Sequence, residues 1–366
     1  MNLVMTLLVR DESDVVDAQI AFHLNAGVDF VIATDHSSED GTTEILESYA
    51  RDGYLRLIRE DADEVRQSEW VTRMARLAAV EFGADWVINS DADEFWWPRA
   101  RSLKEALAVV PQRYGVVYAP MCYFLPRQRA GPFYEVMTVR LLQAAPINSP
   151  LSRYRPTMKA AHRASPTAVV RRGNHDVEQA GRPLRGWHPL EVLHFPDRSP
   201  EQFARKYAHT VTAWPTGGRE PGAFVLAAHG AIGRAGAHES FDSLSISEEE
   251  IADSAAHAFG IDTRLRDALR RLRSSTGAFL LPDQLLNPPD VPPPSALDEA
   301  RHVADVAALA EAEFIRAQRR ADDLNVRIRA IARGRDVRDV SRLLSPRSRW
   351  AALMAHGPRA HRSRGR

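Results

Sequence analysis

The sequence has little with which to cross-link itself, span a bilayer or cradle a phosphate in a glycine loop. One cysteine, Cys122, excludes an internal disulfide, and no Cys/His spacing of the zinc type occurs. A reducing compartment and a core position for that thiol are therefore expected. No uninterrupted apolar run approaches the roughly 20 residues that a membrane-spanning helix needs. The apolar stretch 1–9 has no positive region before it and runs directly into Arg10-Asp11-Glu12, which reads as a first strand rather than a signal peptide. A cytoplasmic protein, at most peripheral at the inner face of a membrane, is expected. The first strand is followed by Arg10-Asp11-Glu12-Ser13-Asp14 where a Gly-rich loop would stand. That disfavours a dinucleotide-binding dehydrogenase and counts against a nucleotidyltransferase. With 48 Lys and Arg against 48 Asp and Glu, the chain has no net charge to draw it to nucleic acid, and no nucleic-acid partner is expected. The charge is unevenly spread, however. Residues 1–100 hold 8 Arg and no Lys against 21 acidic residues, whereas 333–366 hold 10 Arg against Asp336 and Asp339. Early carboxylates suit a cation site or a solvated acidic face; the basic tail suits an anionic surface.

What is present is an ordinary globular composition, 44% hydrophobic and 26% charged over 366 residues, enough for one large α/β unit and an appendage. Continuous apolar runs at 3–9, 28–34 and 86–89, with another strand at 55–58, look like strands buried on both faces. Between them the spacing predicts a helix capped by Ser13 and stopped at Gly27, a second over Thr42–Arg51 and a third over 68–82 ending on Gly83. The alternation argues a right-handed doubly wound sheet, whose ligands bind at the carboxyl ends of the strands. Residues 115–195 read as β-rich, with strands near 116–119, 135–142, 168–171 and 191–195, followed by a helix near Pro200–Thr212. The prolines of 282–294 make a linker or surface strap. Apolar residues from Ala300 to Ile331 at alternating spacings of three and four predict a helix over 295–333, as a coiled coil or packed on its own domain, and a basic tail over 334–366. The domains expected are thus a catalytic unit over 1–281, split into halves 1–98 and 99–281, then linker, helix and tail.

The most specific feature is a buried strand delivering Asp91-Ala92-Asp93-Glu94-Phe95 to a strand end. A hard divalent cation bridging a diphosphate takes oxygen ligands and needs only one or two protein carboxylates. A second feature, Asp35 to Thr42, follows the strand 28–34; a turn with a helix cap accounts for its Ser, Asp and Gly equally well. Trp96, Trp97 and Trp187 offer a platform for a sugar ring, although Trp96 and Trp97 cannot both face inward on one strand. Lys159, Arg163 and Arg172 are candidates to pair with diphosphate.

Together Arg10-Asp11-Glu12, the segment Asp35 to Thr42 and Asp-Ala-Asp-Glu-Phe resemble the family-2 glycosyltransferases, in the bacterial subgroup with an Asp-x-Asp-Glu-Phe motif. The resemblance is closest over 1–98. It is looser through Gly173-Asn174-His175, His194-Phe195 and Arg198 to Lys206. It implies a GT-A type doubly wound mixed sheet with a C-terminal helical extension, a nucleotide-diphosphate-sugar donor with uridine favoured, Mn or Mg, and inversion at the anomeric carbon. By matching positions it implies donor contacts from Arg10, Glu12, Asp35, Asp91 and Asp93, and a metal held by Asp91 and Asp93. His194 is either the ligand completing the metal shell or a hydrogen-bonded structural residue. Inversion requires a general base, for which Glu191, Asp176 and His175 are candidates. The implied acceptor is a glycan or lipid-linked hydroxyl. A homo-oligomer through helix 295–333 and peripheral membrane contact through the basic tail are the further partner expectations. A metal-nucleotide-binding nucleotidyltransferase and a non-catalytic scaffold are the alternatives.

Overall fold

The computed structural model describes residues 1–62, 65–142, 154, 157–179, 181–212, 223–252 and 259–284. The chain divides into two compact units, 1–307 and 308–366. The expected helix 295–333 and tail 334–366 lie outside the described residues, as does the linker beyond its first turn, Pro282–Gln284.

The first half alternates as the apolar runs predict: β1 (Leu3–Val9), α1 (Val16–Asn25), β2 (Phe30–Asp35), α2 (Thr42–Arg51), β3 (Leu55–Arg59), α3 (Gln67–Val80) and β4 (Trp86–Asp91). These strands pair in parallel in the order β3-β2-β1-β4. Both faces of β1 are covered, which accounts for its nearly unbroken apolar run; its one polar side chain, Thr6, donates to Asn89 Oδ1 at 2.9 Å. Leu3, Met5 and Leu7 share a core with Ile20 and Leu24 of α1, while Val4 joins Val71, Met74 and Ala78 of α3. One boundary differs from expectation. α1 starts at Val16 without a side-chain cap, because the Ser13 hydroxyl donates instead to Asp40 Oδ2 at 2.8 Å.

The second half supplies β5 (Glu94–Pro98), α4 (Leu103–Ala108), β6 (Tyr114–Tyr123), α5 (Phe133–Val136), β7 (Val139–Leu141), β8 (Met158–Arg163), β9 (Val169–Val170), β10 (Val177–Glu178), β11 (Arg182–Leu184) and β12 (Leu190–His194). Then follow α6 (Pro200–Thr212), α7 (Ala223–Ala235), α8 (Ala237–Asp242), α9 (Glu248–Ala252), β13 (Phe259–Ile261) and α10 (Arg264–Leu272). Part of the strand expected over 135–142 is the helical turn α5: Pro132, at φ −56°, starts it, and the Pro132 carbonyl accepts from the Glu135 N–H. Cys122 is buried, as expected. Among the described residues no helix is long and apolar enough to cross a membrane.

The sheet continues β4-β8-β6-β12-β5, with β4-β8, β8-β6 and β12-β5 antiparallel and β6-β12 parallel, so the α/β class and the mixed sheet are those expected. β5 begins three residues after β4 ends yet lies four strands away in this order. Three residues reach at most about 11 Å, whereas four strand spacings need roughly 19 Å on a flat sheet. The sheet therefore curls until its far edge meets β4 at Asp91-Ala92-Asp93-Glu94. Trp96 faces the core and is fully buried; Trp97, on the opposite face, stacks on Phe22 at 5.6 Å.

A buried histidine ties α1 to the start of β5. His23 Nδ1–H donates to the Gln19 carbonyl at 2.7 Å, and Nε2 accepts from the Trp96 N–H at 3.0 Å, an arrangement open only to the neutral ring. Burial pushes the His23 pKa down to about 4, and that of the equally buried His162 to about 4. The unfolded chain, with histidine near 6.5, takes up protons that the native state refuses. The stability due to neutral His23 is therefore complete above about pH 6.5 and is lost as pH falls toward 4. In denaturant titrations the stability advantage of wild type over His23→Gln is expected to shrink by roughly 2–3 kcal/mol between pH 7.5 and 4.5. An advantage independent of pH would mean that His23 can be protonated in place.

Candidate active site

The carboxyl ends of β1, β2 and β4 open onto a cavity of about 610 Å³. The loops after β1 and β2 are laced together. The Asp11 N–H donates to Ser38 Oγ at 3.0 Å and the Glu39 N–H to Asp11 Oδ1 at 2.8 Å. Asp40 accepts from the backbone and hydroxyl of both Ser13 and Thr42, and against burial these bonds lower its pKa. Among the described residues three non-glycine residues hold positive φ, Asp11 (53°), Ser37 (53°) and Asn174 (59°). Asp11 and Asn174 sit beside the cavity, and Asp and Asn tolerate that conformation best. Backbone strain of this kind collects at functional sites, at about 1–3 kcal/mol per residue.

The turn between β4 and β5 concentrates the charge. Ala92, between the two aspartates, is buried and lines the cavity. Asp91 Oδ2 accepts from Lys159 Nζ at 2.6 Å and Oδ1 from Asn174 Nδ2 at 3.1 Å. Glu94 lies 2.7 Å from the same ammonium. Asp93 Oδ2 accepts from Lys206 Nζ at 2.6 Å and lies 3.5 Å from His194 Nε2. Burial works against ionisation of Asp93, but Lys206, then His194 and Arg198, hold its carboxyl well below the usual range. For Glu94 burial wins: against the pull of Lys159, and aided by Asp91 and Asp93, it pushes the carboxyl up to about 8. Ligand atoms of Asp93, Glu94 and His194 lie within 4.8 Å of one another.

Behind the turn stands Arg198, 1% exposed. It donates to Asp14 Oδ2 at 2.7 Å and Oδ1 at 2.8 Å, to the Phe195 carbonyl at 3.1 Å, and to Glu12 Oε2. Burial pushes Glu12 up to about 7 against the pull of Arg198 and Lys206.

Of the residues singled out in the sequence, Arg10, Glu12, Asp91, Asp93, His175 and His194 all line the cavity. Asp35 does not: it is 3% exposed, and its oxygens accept from the Ser38 N–H at 3.2 Å and Thr43 Oγ1 at 2.5 Å, the turn-bracing role. Asp176 accepts from Tyr118 Oη at 2.6 Å and is also off the cavity wall. Glu191 points to the face of β12 opposite His194, where it pairs with Arg264. Trp96, Trp97 and Trp187 do not line the cavity, so the sugar platform expected of them is not formed there: Trp96 is core, and the other two pack on the core. The metal-type cluster contains Glu94 where the sequence pointed to Asp91, whose carboxylate is held by Lys159 and Asn174. Sequence reasoning also passed over Lys206 and Arg198 as site residues. One signal was available for the lysine: the chain has only Lys104, Lys159 and Lys206, and two of the three lie on this turn.

Residues 8–180 match the sequence model of glycosyltransferase family 92, a span of rather less than half the chain. The motifs resemble family 2; glycosyl transfer is common to both families. No curated protein matches. Among solved structures the chain is similar to S. aureus TarS 1–349 in complex with UDP, at 12% identity, 69% of this chain and 78% of that one, TM-score 0.30. It is similar to the mannosyltransferase PcManGT from Pyrobaculum calidifontis in complex with GDP-Man and Mn2+, at 17% identity, 74% and 79% of the two chains, TM-score 0.30. A third is glucosyl-3-phosphoglycerate synthase from Mycobacterium tuberculosis in complex with Mn2+, uridine-diphosphate and phosphoglyceric acid, at 16% identity, 44% and 56%, TM-score 0.26.

Arg198→Met keeps the bulk of the side chain and strands Glu12 and Asp14. Because Asp14 reaches solvent, the expected loss is about 2–3 kcal/mol, below the roughly 3–5 kcal/mol for breaking a fully buried pair. The loss should deepen from pH 6 to pH 8 as Glu12 ionises, and a shift of the denaturation midpoint identical at both values would contradict the arrangement.

Proposed function

We propose that this chain, a glycosyltransferase on its match over residues 8–180, moves a sugar from a nucleoside diphosphate donor to a hydroxyl acceptor. In this reading the anomeric carbon inverts and a divalent cation, Mn or Mg, assists the leaving group. The observation that carries the reading is the convergence of Asp93, Glu94 and His194 on a cavity at the carboxyl ends of parallel strands. Two carboxylates and an imidazole make a donor set that a hard-to-borderline cation accepts while keeping positions for phosphate oxygens. Bound there, the ion would supply Lewis-acid neutralisation of the departing diphosphate.

The chain's own residues provide the remaining functions. Arg10 and His36 wall the cavity beyond β1 and β2, where the nucleotide would lie. Asp35 anchors the loop that carries His36, and uridine is the first nucleotide to try. Lys159 orients Asp91 and Glu94. Among the three candidate bases only His175 lines the cavity. Its Nδ1–H donates to the Met158 carbonyl at 2.9 Å, which leaves the Nε2 lone pair to accept a proton. As the acceptor oxygen bonds to the anomeric carbon, its proton passes to Nε2, and the bond to the diphosphate oxygen breaks with its electron pair leaving on the nucleotide. Gly173 bears on this geometry: a Cβ there would lie 2.6 Å from the imidazole, at φ +74°.

Two variants test the reading. Asp93→Asn keeps shape and removes charge, so donor hydrolysis and transfer should fall by about two to three orders of magnitude with folding retained. Wild type should lose activity in EDTA and regain it with Mn or Mg; full activity in EDTA would sink the metal. Gly173→Ala should lower kcat by about a hundredfold through a displaced His175, with donor KM little changed. Full turnover in that variant would remove His175 as the base.

A further inference from the structure

Each carboxylate of the Asp91-Ala92-Asp93-Glu94 turn already carries an ammonium group. The pairings differ in one respect. Lys159 is 3% exposed and shared between Asp91 and Glu94, so it is fixed from both sides. Arg198 is 1% exposed and pinned by Glu12, Asp14 and the Phe195 carbonyl. Lys206, on α6, is 31% exposed and reaches across the cavity wall to Asp93 Oδ2 and the Pro196 carbonyl, at 2.6 and 3.0 Å. It alone among these cations combines direct contact with Asp93 and access to solvent. The carboxylate it holds belongs to the Asp93-Glu94-His194 set, and His194 Nε2 lies 3.5 Å from the same oxygen, Oδ2.

Resting on the cation site proposed above, we propose that Lys206 is a tethered counter-cation on Asp93, which a divalent ion arriving with a diphosphate must displace. An ammonium held on the Asp93 carboxylate opposes a divalent cation on the same group, because the two positive charges repel at a few ångströms in a poorly solvated site. The protein without nucleotide therefore binds the ion weakly. Diphosphate gives the released ammonium new oxygens on the same cavity wall, so nucleotide and metal raise each other's affinity. The choice of side chain fits the role. The position in contact with both Asp93 and solvent is a lysine in a chain whose basic residues are nearly all arginine. An ammonium is a compact charge with rotatable donors on a flexible stem and can change partners; a guanidinium holds a carboxylate in a two-pronged grip and is kept at Arg198, where nothing has to move.

The test is calorimetric titration of Mn2+ into the full chain without nucleotide, for wild type, Lys206→Met and Lys206→Ala, each checked for folding by its melting temperature. Neither replacement adds an oxygen donor. Both should bind Mn2+ about tenfold more tightly than wild type, and UDP should strengthen Mn2+ binding more in wild type than in either variant. If both bind Mn2+ no more tightly than wild type while Asp93→Asn abolishes binding, the counter-cation is overturned and the metal site stands. If no form binds Mn2+ even with UDP, both fall.

Discussion

The two-residue step between β4 and β5 is the constraint from which the rest of the site follows. Because β5 must leave Asp91 after only Ala92 and Asp93 and still pair with β12, three strands from β4 in the sheet order, the sheet has to curl around the turn. That closure brings His194, at the end of β12, opposite Glu94 at the start of β5. A cluster that looks like three unrelated positions, 93, 94 and 194, is in this sense one consequence of strand register. The buried Ala92 stands between the two aspartates in the same turn and lines the cavity.

Closing the sheet there crowds carboxylates into a poorly solvated place, which is costly unless each is paired. The first 100 residues contain no lysine to pair them. The cations come from the second half instead: Lys159 from β8, Arg198 from the segment after β12, Lys206 from α6. The electrostatic debt of the first half thus specifies how the second half must dock. This explains why Arg198, nearly 190 residues from Glu12, is among the least exposed charged side chains at the site.

The sequence was a good guide wherever one local rule decided the outcome. Continuous apolar runs marked β1, β2 and β4, and α2 and α6 fall at the expected residues. Asp93 and His194 were legible as members of one cluster through the resemblance. Glu94 was not, since only the return of β5 beside β12 turns it inward. Ser13 was misread because Asp40 competes for its hydroxyl across 27 residues, a contact no local propensity contains. Glu191 sits next but two to His194 in sequence, yet alternation along a strand sends it to the other face. Where tertiary partners choose between two chemically reasonable roles, composition and spacing are silent.

The same reasoning bears on how a site with so much fixed charge would accept the proposed divalent ion together with its diphosphate. If all its cations were pinned as Arg198 is, a divalent ion would meet a fully compensated surface and would have to break a buried pair to enter. If none were present, the carboxylates would be protonated, as the raised Glu94 already tends to be. A half-exposed ammonium on the decisive oxygen avoids both. It holds Asp93 ionised, and on the counter-cation proposal its departure would cost little, because its stem reaches water and its next partner would arrive with the ion. A lysine suits that exchange better than an arginine would, because a compact charge on a flexible stem can change partners.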